Sequence, residues 1–169
     1  DHCDVLIHIN ADVPKIIPAY NRIRAFEDTC KEHHVPYELN LNVCGDSYQE
    51  LFSQMKIIFA DIDEKYPGQK KGVFLANDTY ANMFLNLIFQ KYGCLPDTYE
   101  LVGFDNSPIA SEAILPITTI GQQIDVIAHT SMELLVQQME ERKKRKPVPL
   151  AEPINKQITP ILIRRETTN

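Results

Sequence analysis

The sequence predicts an α/β fold of three layers, in which a mainly parallel β-sheet lies between two layers of helices. Short apolar runs alternate along the chain with longer segments whose apolar residues recur at helical spacing. One of these runs, "GVFLAN" at 72–77, is continuously apolar, as is typical of a strand buried on both faces. Strands that alternate with helices of this length form crossover connections and a parallel sheet.

The first half of the chain predicts two strand–helix pairs. The strand "DVLIHIN" at 4–10 precedes a helix at about 18–33, which ends before the Val35-Pro36 pair. "YELNLNV" at 37–43 alternates apolar and polar residues, a pattern that predicts a second strand. The next apolar stripe predicts a helix at 48–66, which Pro67-Gly68 ends.

The second half predicts two more strands, two more helices and an extended end. The strand at 72–77 leads into a helix that Asp78 or Thr79 caps and Gly93 ends. A strand at 98–104 and a short helix at 108–114 follow, and then an extended stretch at 114–123. A long helix at 124–144 precedes the turn Pro147-Val148-Pro149, and "QITPILIRRE" is a final extended segment.

Composition and charge exclude several classes of protein. The 169 residues are 44% hydrophobic and 24% charged, which is typical of a soluble globular chain. The net charge of −6 gives no bulk attraction for nucleic acid or anionic membranes, and no apolar run approaches the length of a membrane span. Because the chain lacks an initial methionine and begins almost inside a strand, we expect the natural protein to extend further at this end.

No pattern for metal binding or covalent catalysis stands out. The four cysteines at 3, 30, 44 and 94 form no C-x-x-C pair, and the histidines show no H-E-x-x-H spacing. Phosphate-binding and nucleophile-elbow motifs are absent as well. The sequence therefore predicts no cofactor, no metal and no enzymatic activity.

Polar residues follow the ends of the predicted strands, where parallel α/β sheets bind their ligands. A carboxylate accepts hydrogen bonds from two hydroxyls, while amide and guanidinium groups donate to oxygens, and sugars present such a surface. The candidates after the four strands are Asn10, Asp12 and Arg22; Asp46 and Ser47; Asn77 and Asp78; and Asp105 and Asn106.

Each of these residues also has a structural interpretation. Asp78 stands directly before a helix and is best explained as its cap. For Asp105 and Asn106, composition alone leaves a turn or cap and a ligand contact equally open. A structural salt bridge explains Arg22 as well as a ligand contact does.

Four motifs in order resemble the LacI/GalR family of bacterial transcription regulators. They are "AND" at 76–78, a "G-x-x-P-x-x-x-x-x-V-G-F-D-N" block at 93–106, "PITTI" at 116–120 and the tail "RRETT" at 164–168. "RIRAF" at 22–26 is similar to a further family motif but has Ala25 where glycine is usual. The resemblance covers almost the whole chain and is weakest at 37–70.

The resemblance implies an effector-binding domain with the type I periplasmic-binding-protein fold, of which this chain is the later half. It implies a second subdomain at 1–117 and 148–169, and a crossing segment with a helix at 118–147 that packs on a missing first subdomain. It also implies ligand contacts by Arg22, Asn77, Asp105 and Gln122, and an aromatic contact for which Tyr48 is the available residue.

The resemblance further implies a cytoplasmic, homodimeric regulator that senses a small molecule, most simply a sugar, and contacts operator DNA only through a domain outside this chain. Ligand binding would then shift the orientation of two subdomains and so change operator affinity. The alternative is the sugar-binding protein of an ABC transporter, which shares the fold. Neither interpretation places the chain in a membrane.

Overall fold

The computed structural model describes residues 2–14, 17–144, 146 and 153–168. The elements in these ranges, in chain order, are β1 (Val5–Ile9), α1 (Pro18–Glu32), β2 (Tyr37–Asn40), α2 (Tyr48–Lys65), β3 (Lys71–Leu75), α3 (Asp78–Tyr92), β4 (Tyr99–Asp105), α4 (Pro108–Glu112), β5 (Thr118–Gly121), α5 (Ile124–Lys143) and β6 (Ile161–Ile163).

The strands form one sheet in the order β2-β1-β3-β4-β5-β6. The pairs β1–β2, β1–β3 and β3–β4 are parallel, with Ile7 opposite Val73 and Val73 opposite Leu101 across the central three strands. Because these strands run the same way, their carboxyl ends lie at one edge of the sheet. The predicted α/β class with a mainly parallel sheet is confirmed.

The main core lies on the sheet face that α2 and α3 cover. Ile7, Val73 and Leu101 point to this face and are at most 1% exposed. They belong to one apolar cluster with Phe59 of α2 and Phe84 of α3, whose rings meet edge to face with centroids 5.4 Å apart. Burial of apolar area on this scale supplies most of the driving force for folding.

Helix α1 covers the opposite face. Phe26 of α1 lies with its ring centroid 5.3 Å from that of His8 in β1 and 6.2 Å from that of Phe74 in β3. Alternate residues of each strand therefore contact different helices, as the two-residue period of a strand requires. The helices on both faces complete the three predicted layers.

The chain divides into two compact units. The first contains residues 1–120 and 162–169 and holds most of the sheet, and the second contains Gly121–Ile161 with α5. None of the described residues of α5 is buried. The predicted turn at Pro147-Val148-Pro149 and the predicted subdomain boundary at 147/148 lie outside the described residues.

Most predicted elements match the structure to within a few residues, and the end of β2 is the clearest difference. The alternating pattern predicts a strand to residue 43, but β2 ends at Asn40. The reason is local, because the Asn40 side chain accepts a hydrogen bond from the backbone N–H of Asn42 at 3.2 Å and turns the chain. Among the described residues, no helix has the length and apolar character needed to cross a bilayer.

Candidate functional site

Arg22 lies in the second turn of α1 and reaches the carboxyl edge of the sheet. Its Nη1 donates a hydrogen bond to the carbonyl of Ala76, just beyond β3, at 3.3 Å. The guanidinium carbon stands 4.0 Å from the ring centroid of Phe104 in β4, so the planar group lies over an aromatic face. Burial lowers the pKa of Arg22, and the negative charge of Asp105 acts in the opposite direction.

Asp105 is the last residue of β4 and has an unusual backbone conformation. Its φ is +103°, and Asn106 follows with a φ of +53°. Residues other than glycine rarely adopt such angles, and strained positions of this kind cluster at ligand and active sites. Because the guanidinium of Arg22 lies over the ring of Phe104, the residue directly before Asp105, the carboxylate and the guanidinium lie in the same region.

Asn77 caps α3, which corrects the prediction that Asp78 or Thr79 does so. Its Oδ1 accepts a hydrogen bond from the backbone N–H of Tyr80 at 2.9 Å, and its backbone is extended. The carboxamide therefore stands at the carboxyl edge with its oxygen engaged in the cap. Its Nδ2 is the donor that a ligand would meet.

Asp78 is buried within the first turn of α3 rather than capping it. Its Oδ2 accepts hydrogen bonds from the backbone N–H of Ser107 at 2.7 Å and from its hydroxyl at 3.1 Å. Its Oδ1 accepts a hydrogen bond from the hydroxyl of Thr119, in β5, at 2.6 Å. One carboxylate thus joins α3, β5 and the segment that follows Asp105.

Two of the sequence-derived candidates have other surroundings. Tyr48 is the first residue of α2 and is 55% exposed, and its ring stacks on that of Phe52 with centroids 6.1 Å apart. It lines a surface cavity of about 460 Å³ with residues of α2 and α3 and with Ile114. Gln122 follows β5 and belongs to the second compact unit. Of the five candidates, the structure brings Arg22 and Asp105 together and places Asn77 at the same edge of the sheet.

His8 and Asn10 form a buried hydrogen-bonded pair near this edge of the sheet. Nδ1 of His8 lies 2.9 Å from the carbonyl of Phe74, which makes it the protonated ring nitrogen, and Nε2 then accepts from the amide of Asn10 at 3.4 Å. The amide oxygen of Asn10 accepts from the N–H of Ala11 at 2.8 Å. Burial lowers the pKa of His8, which favours the neutral ring that this arrangement requires.

Sequence reasoning missed several residues that shape the site. Phe104, Thr119 and Arg165 were assigned only to a strand or to motifs, and Ser107 was given no role of its own. The tail "RRETT" was a signal for Arg165, because two adjacent basic residues follow the apolar terminal strand. Among the described residues, no group of His, Cys, Asp and Glu side chains could hold a metal ion.

The profile of the periplasmic binding protein-like domain family matches residues 10–168. The chain is 26% identical over 141 residues to the ribose operon repressor of Halalkalibacterium halodurans, a match that covers 83% of this chain and 40% of that protein. The chain thus spans less than half the length of the curated relatives that it matches.

Solved structures show the same fold. The periplasmic binding protein/LacI transcriptional regulator of Alkaliphilus metalliredigens QYMF, complexed with D-xylulofuranose, has a TM-score of 0.70 at 23% identity. The match covers 99% of this chain and 57% of that one. The lac repressor dimer bound to operator and the anti-inducer ONPF has a TM-score of 0.67 at 21% identity, covering 99% of this chain and 53% of that one.

Proposed function

Because this chain belongs to the periplasmic binding protein-like domain family, we propose that it is one half of the sugar-sensing domain of a bacterial transcription regulator. The observation that carries the proposal is the convergence of Arg22, Asn77 and Asp105 at the carboxyl edge of the sheet. The names of the curated relatives, which are repressors, favour the regulator over a transporter protein. The regulator would act in the cytoplasm.

Each group at this edge has a role that suits a sugar. Asp105 accepts hydrogen bonds from two hydroxyls, Arg22 donates to hydroxyl or ring oxygens, and Asn77 donates through Nδ2. Hydrogen bonds to charged groups contribute about 1.5–3 kcal/mol each, so loss of one weakens binding by roughly 10- to 160-fold. Because Phe104 and the Ala76 carbonyl already orient the guanidinium, little further ordering is required.

The effector that we propose is a five-carbon sugar. The first curated relatives are ribose operon repressors, and one structural neighbour is complexed with D-xylulofuranose, which is also a pentose. A pentose offers several adjacent hydroxyls to one carboxylate. Gln122 and Tyr48 remain proposed contacts that the opposite subdomain would complete.

The proposed domain organisation follows the same logic. We assign residues 1–117 and 148–169 to the second subdomain, and residues 118–147 to a crossing segment whose helix packs on a first subdomain supplied by the rest of the protein. The exposure of Ile124, Met132, Leu135 and Met139 in α5, each at least half exposed, supports an uncovered apolar face. The sequence upstream of Asp1 should then encode a DNA-binding head rather than a cleavable signal peptide.

We further propose a homodimer. The exposed rings and side chains around the surface cavity at α2 and α3, among them Tyr48 at 55% and Ile114 at 63%, support an interface there. The structural neighbour that is a dimer supports the assembly itself. In a dimer, a change in subdomain orientation alters the spacing of two DNA-binding heads.

Isothermal titration of the full-length protein with ribose, xylulose and a panel of hexoses tests the proposal. We expect micromolar binding of a pentose, a loss of 10-fold or more in Asp105→Asn, and much weaker binding by the isolated 169-residue chain. Asp28→Asn is the matched control, because its carboxylate is 63% exposed on α1 and pairs only loosely with Arg24 at 3.8 Å. The proposal fails if the full-length protein binds no sugar in the panel, or if Asp105→Asn binds as well as Asp28→Asn does.

A further inference from the structure

The turn at the end of β4 needs external support. Asp105 and Asn106 adopt φ angles of +103° and +53° in succession. Each strained residue costs on the order of 1–3 kcal/mol and persists only where surrounding contacts hold it. Asparagine and aspartate tolerate the left-handed region better than other residues, but two in succession still require anchors on both sides.

The anchor on the carboxyl side of the turn is Asp78. It accepts hydrogen bonds from the backbone N–H and the hydroxyl of Ser107, and its other oxygen is bonded to Thr119. Asp78 is 1% exposed, so these bonds lie in a region of low dielectric and are strong. They fix the residue that follows the strained pair.

The other anchor is Arg165, in the segment after β6. Its Nη2 donates to Oδ1 of Asn106 at 2.7 Å, and its Nη1 donates to the carbonyl of Ile117 at 2.8 Å. A guanidinium is planar and donates in fixed directions, so two such bonds set its orientation. One side chain thereby joins the strained turn to the residue that precedes β5.

The backbone around Arg165 is itself hydrogen-bonded to β5 and to the residues just before it. The N–H of Arg165 donates to the hydroxyl of Thr118 at 2.9 Å, and the N–H of Glu166 donates to the carbonyl of Pro116 at 3.0 Å. The hydroxyl of Thr167 accepts from the N–H of Thr118 at 2.9 Å. Arg165 therefore cannot move relative to β5 without breaking several hydrogen bonds.

We propose that Arg165 is a positioning residue for effector binding: through Asn106 it sets the direction of the Asp105 carboxylate and ties it to β5 and to the segment after β6. The chain passes from one compact unit to the other within β5, after Ile120, and within β6, after Ile161, so Thr118 and Arg165 each lie within four residues of one of these passages. A displacement of either passage moves the turn and thereby weakens sugar binding at Asp105. By reciprocity, bound sugar opposes the displacement by the same free energy by which the displacement weakens sugar binding. This inference rests on the proposed sugar binding for its biological meaning but not for its structural content.

Hydrogen exchange of the full-length protein tests the structural content without any sugar. In Arg165→Met, which keeps an unbranched apolar stem and removes the guanidinium with both donors, we expect amides 105–107 to exchange at least tenfold faster. The amides of β3 should keep their rates, because that strand makes none of these contacts. Arg164→Met is the matched control, an adjacent and exposed arginine of the same segment. If Arg165→Met proves too unstable, Arg165→Lys retains the charge and one donor direction, and should show a smaller increase.

Sugar titration of the same variants tests the functional content. We expect the pentose Kd to rise about tenfold in Arg165→Met and to rise no further when Asn106→Gly is added, because both changes break one linkage and glycine adopts a positive φ without strain. Additive effects, or unchanged exchange at 105–107, would overturn the proposal. If the wild-type protein binds no sugar, the proposed function fails, and the exchange rates still decide whether Arg165 holds the turn.

Discussion

Gly103 lies in β4 beneath the first turn of α3, and its replacement by alanine tests how much the Asp78 carboxylate contributes to the fold. A Cβ atom at position 103 would stand 2.3 Å from Oδ1 of Asp78 and 3.4 Å from the Cβ of Ala81. No real Cβ comes that close to an oxygen, so Asp78 must move. Its movement separates the carboxylate from Ser107 and Thr119.

The expected magnitude follows from two contributions. Overpacking of a well-filled core costs about 1–3 kcal/mol. Weakening of the hydrogen bonds to the buried Asp78 carboxylate adds about 1.5–3 kcal/mol. This is the contribution of about one such bond, because the bonds are not all lost and their losses are not additive. Alanine is favoured over glycine in a strand by about 0.5–1 kcal/mol, which offsets part of the loss. We therefore expect Gly103→Ala to lower the free energy of unfolding by about 2–5 kcal/mol.

Gly72→Ala is the matched control, because Gly72 also lies within a central strand. The nearest atoms to a Cβ there are Cδ2 of Leu6 at 2.6 Å and Sγ of Cys3 at 3.0 Å. Both atoms are ends of flexible side chains that can rotate away, so we expect a loss of at most about 1 kcal/mol. Urea unfolding followed by circular dichroism measures both variants. Equal losses in the two, or a loss below about 1 kcal/mol in Gly103→Ala, would refute the reasoning.

Two further predictions concern buried basic groups. Lys71 is 2% exposed, and its Nζ donates to the carbonyls of Tyr66 and Gln69. Lys71→Met leaves both carbonyls without this donor, so we expect urea unfolding to show a free energy of unfolding that is lower by about 1–3 kcal/mol. A neutral or stabilising effect would contradict this. The folded-state pKa of His8 lies below its ordinary value of 6.5, so the unfolded chain binds more protons in acid. Stability from this group is present above pH 6.5 and is lost as the pH falls from there through the folded-state pKa. In His8→Gln, whose amide can still reach Phe74, the free energy of unfolding should depend less on pH in this range. An unchanged slope of the free energy of unfolding against pH would show that another group is responsible.

The periodicity of the sequence was sufficient to predict the strands and helices, because burial decides their pattern. The apolar run at 72–77 locates β3, in which buried residues alternate with half-buried ones rather than being buried on both faces, and the alternation at 37–43 locates β2 but not its end. That end depends on one side-chain hydrogen bond from Asn42 to Asn40, which competes with the strand and leaves no mark in an apolar pattern. The period of the apolar residues predicts where helices and strands lie, whereas individual polar contacts determine where they end.

The residues of the candidate site were predictable only in part. The resemblance named Arg22, Asn77 and Asp105, and the structure places all three at one edge of the sheet. The roles of Asn77 and Asp78 were harder to separate, because both residue types cap helices and they are adjacent. Arg165 is about 60 positions from Asn106 in the sequence, and no local pattern could show that their side chains meet.

The geometry also bears on whether Asp105 is only a turn residue. The cap position of α4 falls at Ser107, so Asp105 and Asn106 do not cap that helix. A residue that merely turned the chain at a φ of +103° would be glycine, which adopts such angles without strain. This chain instead holds a carboxylate there, with one guanidinium nearby and two anchors that stabilise the strained backbone. Strain that is maintained by so many contacts favours a role for the carboxylate itself, and the hydroxyl-rich ligand that we propose at the carboxyl edge of the sheet would supply that role.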